Sequence, residues 1–183
     1  CILSQREVGS HTKSFHAALR SALRESPDVI LVGELRDIET ISLAMTCAET
    51  GTLIFGTLHT QSCGKTVDRI IDAFPKDSQE QIRTMLSISL KGVVAQQLIK
   101  TADQTGRIAA LEILFGSTAL GNLIREGKTF QIDTLIQSTE SEKSGMQSMD
   151  RALINLLEEA KISLDDALAH AHDKTMFQKY REN

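Results

Sequence analysis

The sequence predicts an α/β protein in which a parallel sheet carries added antiparallel strands and a helical region follows. Two apolar runs, at residues 29–33 and 52–58, are separated by a helical pattern, which is the order of a βαβ unit with parallel strands. Residues 93–99 and 107–115 have the pattern of two strands joined by a polar turn, and we expect an antiparallel hairpin there. From Ser117 onward the hydrophobic spacing is helical throughout.

The first elements follow from their apolar spacing and their end signals. A helix is predicted over residues 12–25, with Pro27 just beyond its end. The strand at 29–33 is a continuous apolar run, so we expect it to be buried on both faces of a parallel sheet. Asp37 is the predicted N-cap of the next helix, and Gly51 is its predicted stop.

Helices account for most of the remaining chain. Two are predicted at 64–73 and 77–91, before the hairpin. In the second of them, the residues expected to face inward are Ile82, Met85, Leu86 and 88–90. After the hairpin, the predicted helices cover about 117–126, 129–138, 146–160 and 164–172. Residues 139–145 form a polar, linker-like stretch, and we expect 173–183 to be a surface helix or a frayed end.

Composition narrows the class of protein. With 41% hydrophobic and 24% charged residues in 183, the chain is globular rather than disordered. A net charge of −4 offers no general attraction for nucleic acid. Three cysteines without a C-x-x-C pair fit a reducing cytoplasm, and no apolar run is long enough to span a membrane. The chain starts at Cys1 without a Met, so we expect it to be a fragment of a longer protein.

Two polar side chains come directly after the predicted parallel strands. Glu34 follows the first strand and His59 the second, and the carboxyl ends of parallel strands share one edge of a sheet. A carboxylate there can deprotonate an attacking water or hold Mg²⁺ through its waters, and a histidine can bond a γ-phosphate. Taken singly, Glu34 also fits a plain turn, and His59 fits a capping or core histidine.

Two other patterns resemble sites less closely. The spacings of His11 with His16 and of His170 with His172 do not present two ligands on one helix face, so no direct metal site is expected. The segment 64–66, Gly-Lys-Thr, has the ending of a phosphate loop. However, residue 59 is His where that motif requires Gly.

Several long motifs between residues 2 and 160 match one family in order: ILSQREVG, ALRSALRESPDVILVGELRDIETISLAMTCAETG, FGTLHTQS, KTVDRIIDAFP and LGNLIREGK. Through them the chain resembles the type IV pilus retraction ATPases, the PilT-like branch of the type II/IV secretion ATPase superfamily. The resemblance implies a RecA-like P-loop NTPase core over residues 1–116, followed by a carboxy-terminal helical bundle over 117–183. It further implies a hexameric ring that uses ATP and Mg²⁺ to drive pilus retraction and twitching motility. Such a ring would be cytoplasmic, peripheral at the inner membrane, and would act on the pilus platform machinery there.

The resemblance also assigns roles to residues of this chain. It makes 28–37 the Walker B segment, with Glu34 as the catalytic carboxylate and Mg²⁺ held near it through water. His59 matches the second histidine of the family's His box. Further nucleotide-site candidates are Gly33, Arg36 and Thr60. The carboxy-terminal helix motif, which the family needs for retraction rather than hydrolysis, falls on Asn122, Leu123, Ile124, Arg125 and Glu126.

Three features depart from the family pattern. The phosphate loop would lie upstream of Cys1, so we expect the 183-residue chain alone to be inactive as an ATPase. Thr52 stands where the His box usually has its first histidine. Gly121 stands where the helix motif usually has arginine, which removes a cation and weakens the helix by about 1 kcal/mol relative to Ala.

These departures leave alternatives open. One is an accessory or degenerate ring subunit with weak hydrolysis, suggested by Thr52 and Gly121. Another is a pilus-assembly or type II secretion ATPase. That class usually carries a four-cysteine zinc insertion, whereas residues 100–107 contain no cysteine. A nucleic-acid motor is disfavoured by the acidic balance and by the few aromatic side chains available for stacking on bases.

Overall fold

The computed structural model describes residues 2–138 and 143–181 and groups them into two compact units. The first unit takes in the described residues up to His59 together with Ile70–Ser89. The second takes in Thr60–Arg69 and the described residues from Leu90 onward. The division at residue 116 expected from the sequence follows chain order, and it stays a prediction.

Eight helices and four strands are assigned within the described residues. The helices are α1 (Phe15–Ala22), α2 (Ile38–Glu49), α3 (Cys63–Asp72), α4 (Gln79–Ser89), α5 (Thr118–Arg125), α6 (Ile132–Ile136), α7 (Met149–Glu158) and α8 (Leu164–His170). The strands are β1 (Val29–Val32), β2 (Leu53–Gly56), β3 (Gly92–Lys100) and β4 (Arg107–Phe115). Short 3₁₀ helices cover Leu23–Glu25, Lys76–Ser78, Thr129–Gln131 and Lys174–Tyr180.

The first unit contains the predicted βαβ arrangement. Strands β1 and β2 pair in parallel, in a register that runs from Val29 opposite Leu53 to Val32 opposite Gly56. Asp37 caps α2 as predicted, because its carboxylate accepts a hydrogen bond of 2.8 Å from the backbone N–H of Thr40. Just after α2, Gly51 has a φ of +99°, which glycine adopts without strain.

The two-stranded sheet buries one face only. Val32 lies in a core with Leu19 of α1 and with Ala44 and Cys47 of α2. On the opposite face of β1, Val29 is 53% exposed and Leu31 is 71% exposed. The expectation that this strand is buried on both faces was therefore wrong for the described residues. The two helices pack on the face that carries Val32, because successive strand residues point to opposite sides.

Helix α4 also buries a narrower face than predicted. Ile82 and Leu86, four residues apart, are both buried, but Ile88 is exposed. Ile88 follows Leu86 by two residues, which is about 200° around an α-helix, so the two side chains leave opposite sides. The prediction that Ile88 faces inward was wrong for this reason.

The second unit contains the predicted hairpin. Strands β3 and β4 are antiparallel over their whole length, with Gly92 opposite Phe115 and Lys100 opposite Arg107. The core of this unit joins the hairpin to α7, α8 and the last 3₁₀ helix; its fully buried members include Ile99, Met149, Leu153 and Phe177. Phe177 belongs to the tail that the sequence predicts as a surface helix or frayed end. The tail is helical over Lys174–Tyr180, but it is anchored in the core.

Three remaining observations complete the fold. The helix predicted over 129–138 is shorter in the structure, since Thr129–Gln131 is 3₁₀ and only Ile132–Ile136 is α-helical. Most of the predicted linker, residues 139–142, lies outside the described residues. Within the part of the chain that the structure describes, no helix combines the length and apolar character needed to cross a membrane.

Candidate active site

The side chains of Glu34 and His59 meet at the carboxyl ends of β1 and β2. The Nε2 atom of His59 lies 3.2 Å from the Oε1 atom of Glu34. The Glu34 side chain is 20% exposed, whereas the His59 side chain is 86% exposed. The structure thus brings together the two residues that the sequence places on one sheet edge. Its exposure also shows that His59 is not a core histidine.

Arg36 contacts the other oxygen of the same carboxylate. Its Nε atom forms an ion pair with Oε2 of Glu34, two residues earlier in the chain. Each carboxylate oxygen of Glu34 therefore has its own partner, a guanidinium on one side and an imidazole on the other. A guanidinium only donates hydrogen bonds and stays charged, whereas an imidazole changes both role and charge near neutral pH.

Thr57 holds the backbone on both sides of Glu34. Its hydroxyl donates to the carbonyl of Gly33, and its own carbonyl accepts a hydrogen bond of 3.0 Å from the N–H of Leu35. Thr57 was missing from the predicted site residues. Its position directly after β2, two residues before His59, is the signal that identifies it, because a strand-end hydroxyl can satisfy backbone groups of the neighbouring strand end.

Gly56 permits the close approach of the Glu34 loop to β2. A Cβ atom added at Gly56 would lie 2.6 Å from Cδ1 and 2.8 Å from Cγ of Leu35, the residue that follows Glu34. Gly33 has more room, since the nearest atom to a Cβ there is 3.8 Å away on Phe15. Of these two positions at the sheet edge, it is therefore position 56 at which steric contact with Leu35 favours glycine.

In the second unit, the Gly-Lys-Thr segment lies inside α3 rather than in a loop. The backbone N–H of Cys63 at the start of this helix donates to Oε1 of the buried Glu112, over 2.6 Å. An internal carboxylate thus uses an N–H of the first turn, a position that binds phosphate in other proteins. Burial and the Glu112 carboxylate also raise the pKa of the Cys63 thiol, which keeps it protonated and unreactive.

Thr60 is one of the predicted nucleotide-site candidates. Its hydroxyl oxygen lies 2.7 Å from the hydroxyl oxygen of Thr66, so the two side chains form a hydrogen bond.

The predicted retraction motif lies on α5 and just after it. Ile124 is fully buried and Leu123 is half-buried, whereas the side chains that follow are exposed. Arg125 donates to Oδ1 of Asn122 at 3.1 Å, and Glu126 forms an ion pair of 2.8 Å with Lys128. The hydrogen bond from Lys128 lowers the pKa of the Glu126 carboxyl. Within this motif, Ile124 packs inward while Arg125 and Glu126 face solvent.

The residues around Glu34 suit the reacting end of a nucleoside triphosphate with Mg²⁺. A carboxylate serves an attacking water or a metal-bound water, and an exposed imidazole such as that of His59 suits phosphate oxygens. Among residues 2–138 and 143–181, no group of three or more His, Cys, Asp or Glu side chains could hold a metal directly.

A family model described as type II/IV secretion system protein matches residues 4–181. The crystal structure of the pilus retraction motor PilT with bound ADP is similar to this chain, with a TM-score of 0.86 and 46% identity. That similarity covers 97% of this chain and 49% of the PilT chain. The α/β fold, with its parallel and antiparallel strands and many helices, is thus the fold of that protein over nearly all of this chain.

Two curated relatives show the same extent of similarity. A twitching motility protein of Neisseria gonorrhoeae is 52% identical over 172 residues, which are 94% of this chain and 46% of that protein. The type IV pilus retraction ATPase PilT of Pseudomonas aeruginosa is 52% identical over 167 residues, or 91% of this chain and 48% of that protein. The chain spans about half the length of these relatives. On the family match and these identities, the chain belongs to the type II/IV secretion system protein family.

Proposed function

We propose that the full-length protein is a motor ATPase that couples ATP hydrolysis to type IV pilus retraction, and hence to twitching motility. The observation that carries this proposal is the 3.2 Å contact between Glu34 and His59 at the carboxyl ends of two parallel strands. That edge is where ligands bind in open α/β sheets. The identity of 52% to a twitching motility protein and to a retraction ATPase points to the same activity.

In this proposal each residue of the edge has a defined task. Glu34 orients the attacking water and accepts its proton, as a carboxylate general base does. His59 bonds the oxygens of the terminal phosphate. Gly33 and Thr60 remain nucleotide-site candidates. Bound Mg²⁺ supplies charge neutralisation at the phosphates.

The larger architecture is also proposed by analogy with these relatives. The parallel β1–α2–β2 unit supports a RecA-like core over 1–116, and the helices that follow support a helical bundle over 117–183. The full-length protein is then a homo-hexameric ring in the cytoplasm, peripheral at the inner membrane, that acts on the pilus platform machinery. The retraction motif would transmit force from the exposed Arg125 and Glu126 to a neighbouring subunit or to that machinery.

The location of Thr52 bears on the alternative of a degenerate ring subunit. Thr52 directly precedes β2, and its hydroxyl lies 3.5 Å from the carbonyl oxygen of Pro27. His59 lies beyond the other end of the same strand. The lack of a histidine at position 52 therefore removes no group from the Glu34–His59 edge, which favours an active motor.

The hairpin turn bears on the alternative of a secretion or pilus-assembly ATPase. This turn, between Thr101 and Gly106, is closed by hydrogen bonds of the Asp103 carboxylate. Its lack of cysteines favours the retraction branch over secretion and pilus-assembly ATPases.

The test of this function is Glu34→Gln in the full-length protein. Glutamine keeps the shape and hydrogen-bonding capacity of the side chain but cannot accept the proton. We expect steady-state ATP hydrolysis to fall by about 10²-fold or more, with nucleotide binding retained. The matched control is Glu49→Gln, which removes an exposed carboxylate at the C-terminal end of α2 and is expected to leave hydrolysis unchanged.

Two results would contradict the proposal. Undetectable hydrolysis by the wild-type ring, measured with Mg²⁺ and with binding confirmed, would exclude a motor and favour the degenerate subunit. Wild-type turnover in Glu34→Gln would reduce Glu34 to a turn residue.

A further inference from the structure

We propose that Arg36 is a positioning residue that holds the Glu34 carboxylate in place for hydrolysis and is not itself a ligand of the nucleotide. This inference rests on the proposed function, in which Glu34 is the general base. It is carried by the ion pair between Nε of Arg36 and Oε2 of Glu34, formed while Oε1 of the same carboxylate faces His59. The two contacts together occupy both oxygens of the carboxylate.

The backbone around Glu34 is fixed independently of Arg36. Both neighbours of Glu34 are hydrogen-bonded to Thr57, through the carbonyl of Gly33 and the N–H of Leu35. These bonds restrain the main chain, but a glutamate side chain still rotates about three bonds. Within the part of the chain that the structure describes, the side-chain contacts that restrain those rotations are the ones to Arg36 and His59.

Of these two partners, Arg36 provides the constant restraint. A guanidinium is a planar group with hydrogen-bond donors only, so it has a single role toward a carboxylate. The Nε2 atom of an imidazole is a donor or an acceptor according to the tautomer, so the bond of His59 to Glu34 requires the tautomer that carries hydrogen at Nε2. Without Arg36, the Glu34 carboxylate would keep only its contact with His59, which depends on the tautomer of the imidazole.

The ion pair contributes little to folding. The Arg36 side chain is 69% exposed, and ion pairs in such positions are screened by solvent. Loss of Arg36 should therefore appear in turnover rather than in thermal stability. When a general base is displaced slightly from its productive position, the chemical step becomes slower, while the binding of substrate is largely unaffected.

The experiment is a double-mutant cycle on the full-length protein with Arg36→Ala and Glu34→Gln. For Arg36→Ala alone we expect kcat to fall about tenfold or more, with the KM for ATP and the affinity for a fluorescent ADP analogue within about twofold of wild type. In the Glu34→Gln background, Arg36→Ala should change kcat by less than about twofold, because the group it positions no longer acts as a base. Arg36→Lys should be intermediate, since lysine restores the charge but not the Nε–H donor. Arg20→Ala, which removes an exposed arginine of α1, is the matched control, and melting temperatures of all variants check folding.

Each other outcome overturns the inference in a recognisable way. Wild-type kcat in Arg36→Ala, with Glu34→Gln inactive, overturns the role of Arg36 and leaves the proposed function intact. Weaker binding of the ADP analogue, with effects on kcat that multiply in the double variant, makes Arg36 a nucleotide ligand instead. A lowered melting temperature in Arg36→Ala and in a second variant, Arg36→Gln, makes it a structural residue. Lack of hydrolysis by the wild type itself would overturn the proposed function and this inference together.

Discussion

His59 shows how exposure distinguishes two roles for the same residue. A histidine after a buried strand is commonly a core or capping residue, and its loss then leaves a buried partner without a hydrogen bond. In this protein the imidazole is largely open to solvent and touches the carboxylate of Glu34. An imidazole that is exposed in this way is accessible to a ligand, and its removal should change the stability of the fold only slightly.

For His59→Ala in the full-length protein we therefore expect a loss of activity without a loss of stability. Hydrolysis should fall by about 10²-fold, the low end for removing one positioned hydrogen-bond donor. The melting temperature should drop by less than about 3 °C, because exposed ion pairs contribute under about 1 kcal/mol. Turnover per folded molecule and thermal unfolding would be measured side by side, with the exposed His11→Ala as control. Normal turnover with a clearly lowered melting temperature would remove His59 from the site.

At the scale of the element, the end of β2 determines how closely the Glu34 loop approaches the sheet. Gly56 is the last residue of the strand, and the side chain of Leu35 occupies the space where a Cβ would stand. Thr57 then ties the loop to the strand through two hydrogen bonds. The geometry of the site thus depends on a small residue and a hydroxyl that take no part in the chemistry.

Gly56→Ala should displace Leu35 and with it the backbone of Glu34. We expect the variant to be destabilised by about 1–3 kcal/mol, the usual range for overpacking, and to hydrolyse ATP more slowly. Gly33→Ala serves as the control for stability, since its Cβ would meet Phe15 only at ordinary contact distance. Chemical denaturation of both variants measures the difference. Equal stability of the two would mean that Leu35 moves aside without cost.

Helix α5 carries a buried apolar residue and an exposed charged residue next to each other in its last turn. Ile124 is buried in the second unit, and Arg125 is exposed and bonded to Asn122 on the same helix. An exposed side chain with a partner on its own helix is not needed for the core. Because it is exposed, Arg125 is accessible to a neighbouring subunit or to another protein.

We predict that Arg125→Ala in the full-length ring leaves ATP hydrolysis within about twofold of wild type, as expected for a residue outside the catalytic machinery, but impairs pilus retraction. ATPase assays on the purified variant and retraction assays on the strain that carries it give the two readings. Arg151→Ala, which removes an exposed arginine of α7 outside the motif, is the control. Equal losses of hydrolysis and retraction would place Arg125 in the catalytic or ring-forming apparatus, and no loss of either would return it to the solvated surface.

At the scale of the whole molecule, each unit has its own core, and the chain's last described helix completes the second. Asp150 is buried and accepts backbone hydrogen bonds from His172 at 2.8 Å and from Asp173 at 3.0 Å. These bonds hold the start of the tail against α7, and Phe177 then fills the core. The tail is part of the folded unit.

Phe177→Ala should consequently destabilise the protein by about 3–5 kcal/mol, the range for deleting a buried aromatic side chain. The neighbouring Met176→Ala changes a partly exposed side chain of the same 3₁₀ helix and should cost far less. The free energy of unfolding from chemical denaturation of the full-length variants tests this difference. A similar small effect for both would show that the tail packs loosely.

The sequence by itself determined the order and type of the elements and the edge at which Glu34 and His59 meet. These features depend on residues close together in the chain: the Asp37 cap, the Gly51 stop, and apolar runs with the periods of helix or strand. Because parallel strands end on one edge, the convergence of Glu34 with His59 also followed from local patterns.

The tertiary structure alone decided which surfaces are covered and which side chains pair. The length and apolar character of a run do not indicate how many of its faces will be covered by another element. The exposure of Leu31 and the burial of Phe177 therefore could not be predicted from hydrophobic periodicity. The pairing of Arg36 with Glu34 and the hydrogen bonds of Thr57 depend on side-chain rotamers and on strand register to within about one ångström. Such contacts arise only when segments distant in the chain pack together, because their energies come from close-range interactions that the local sequence does not contain.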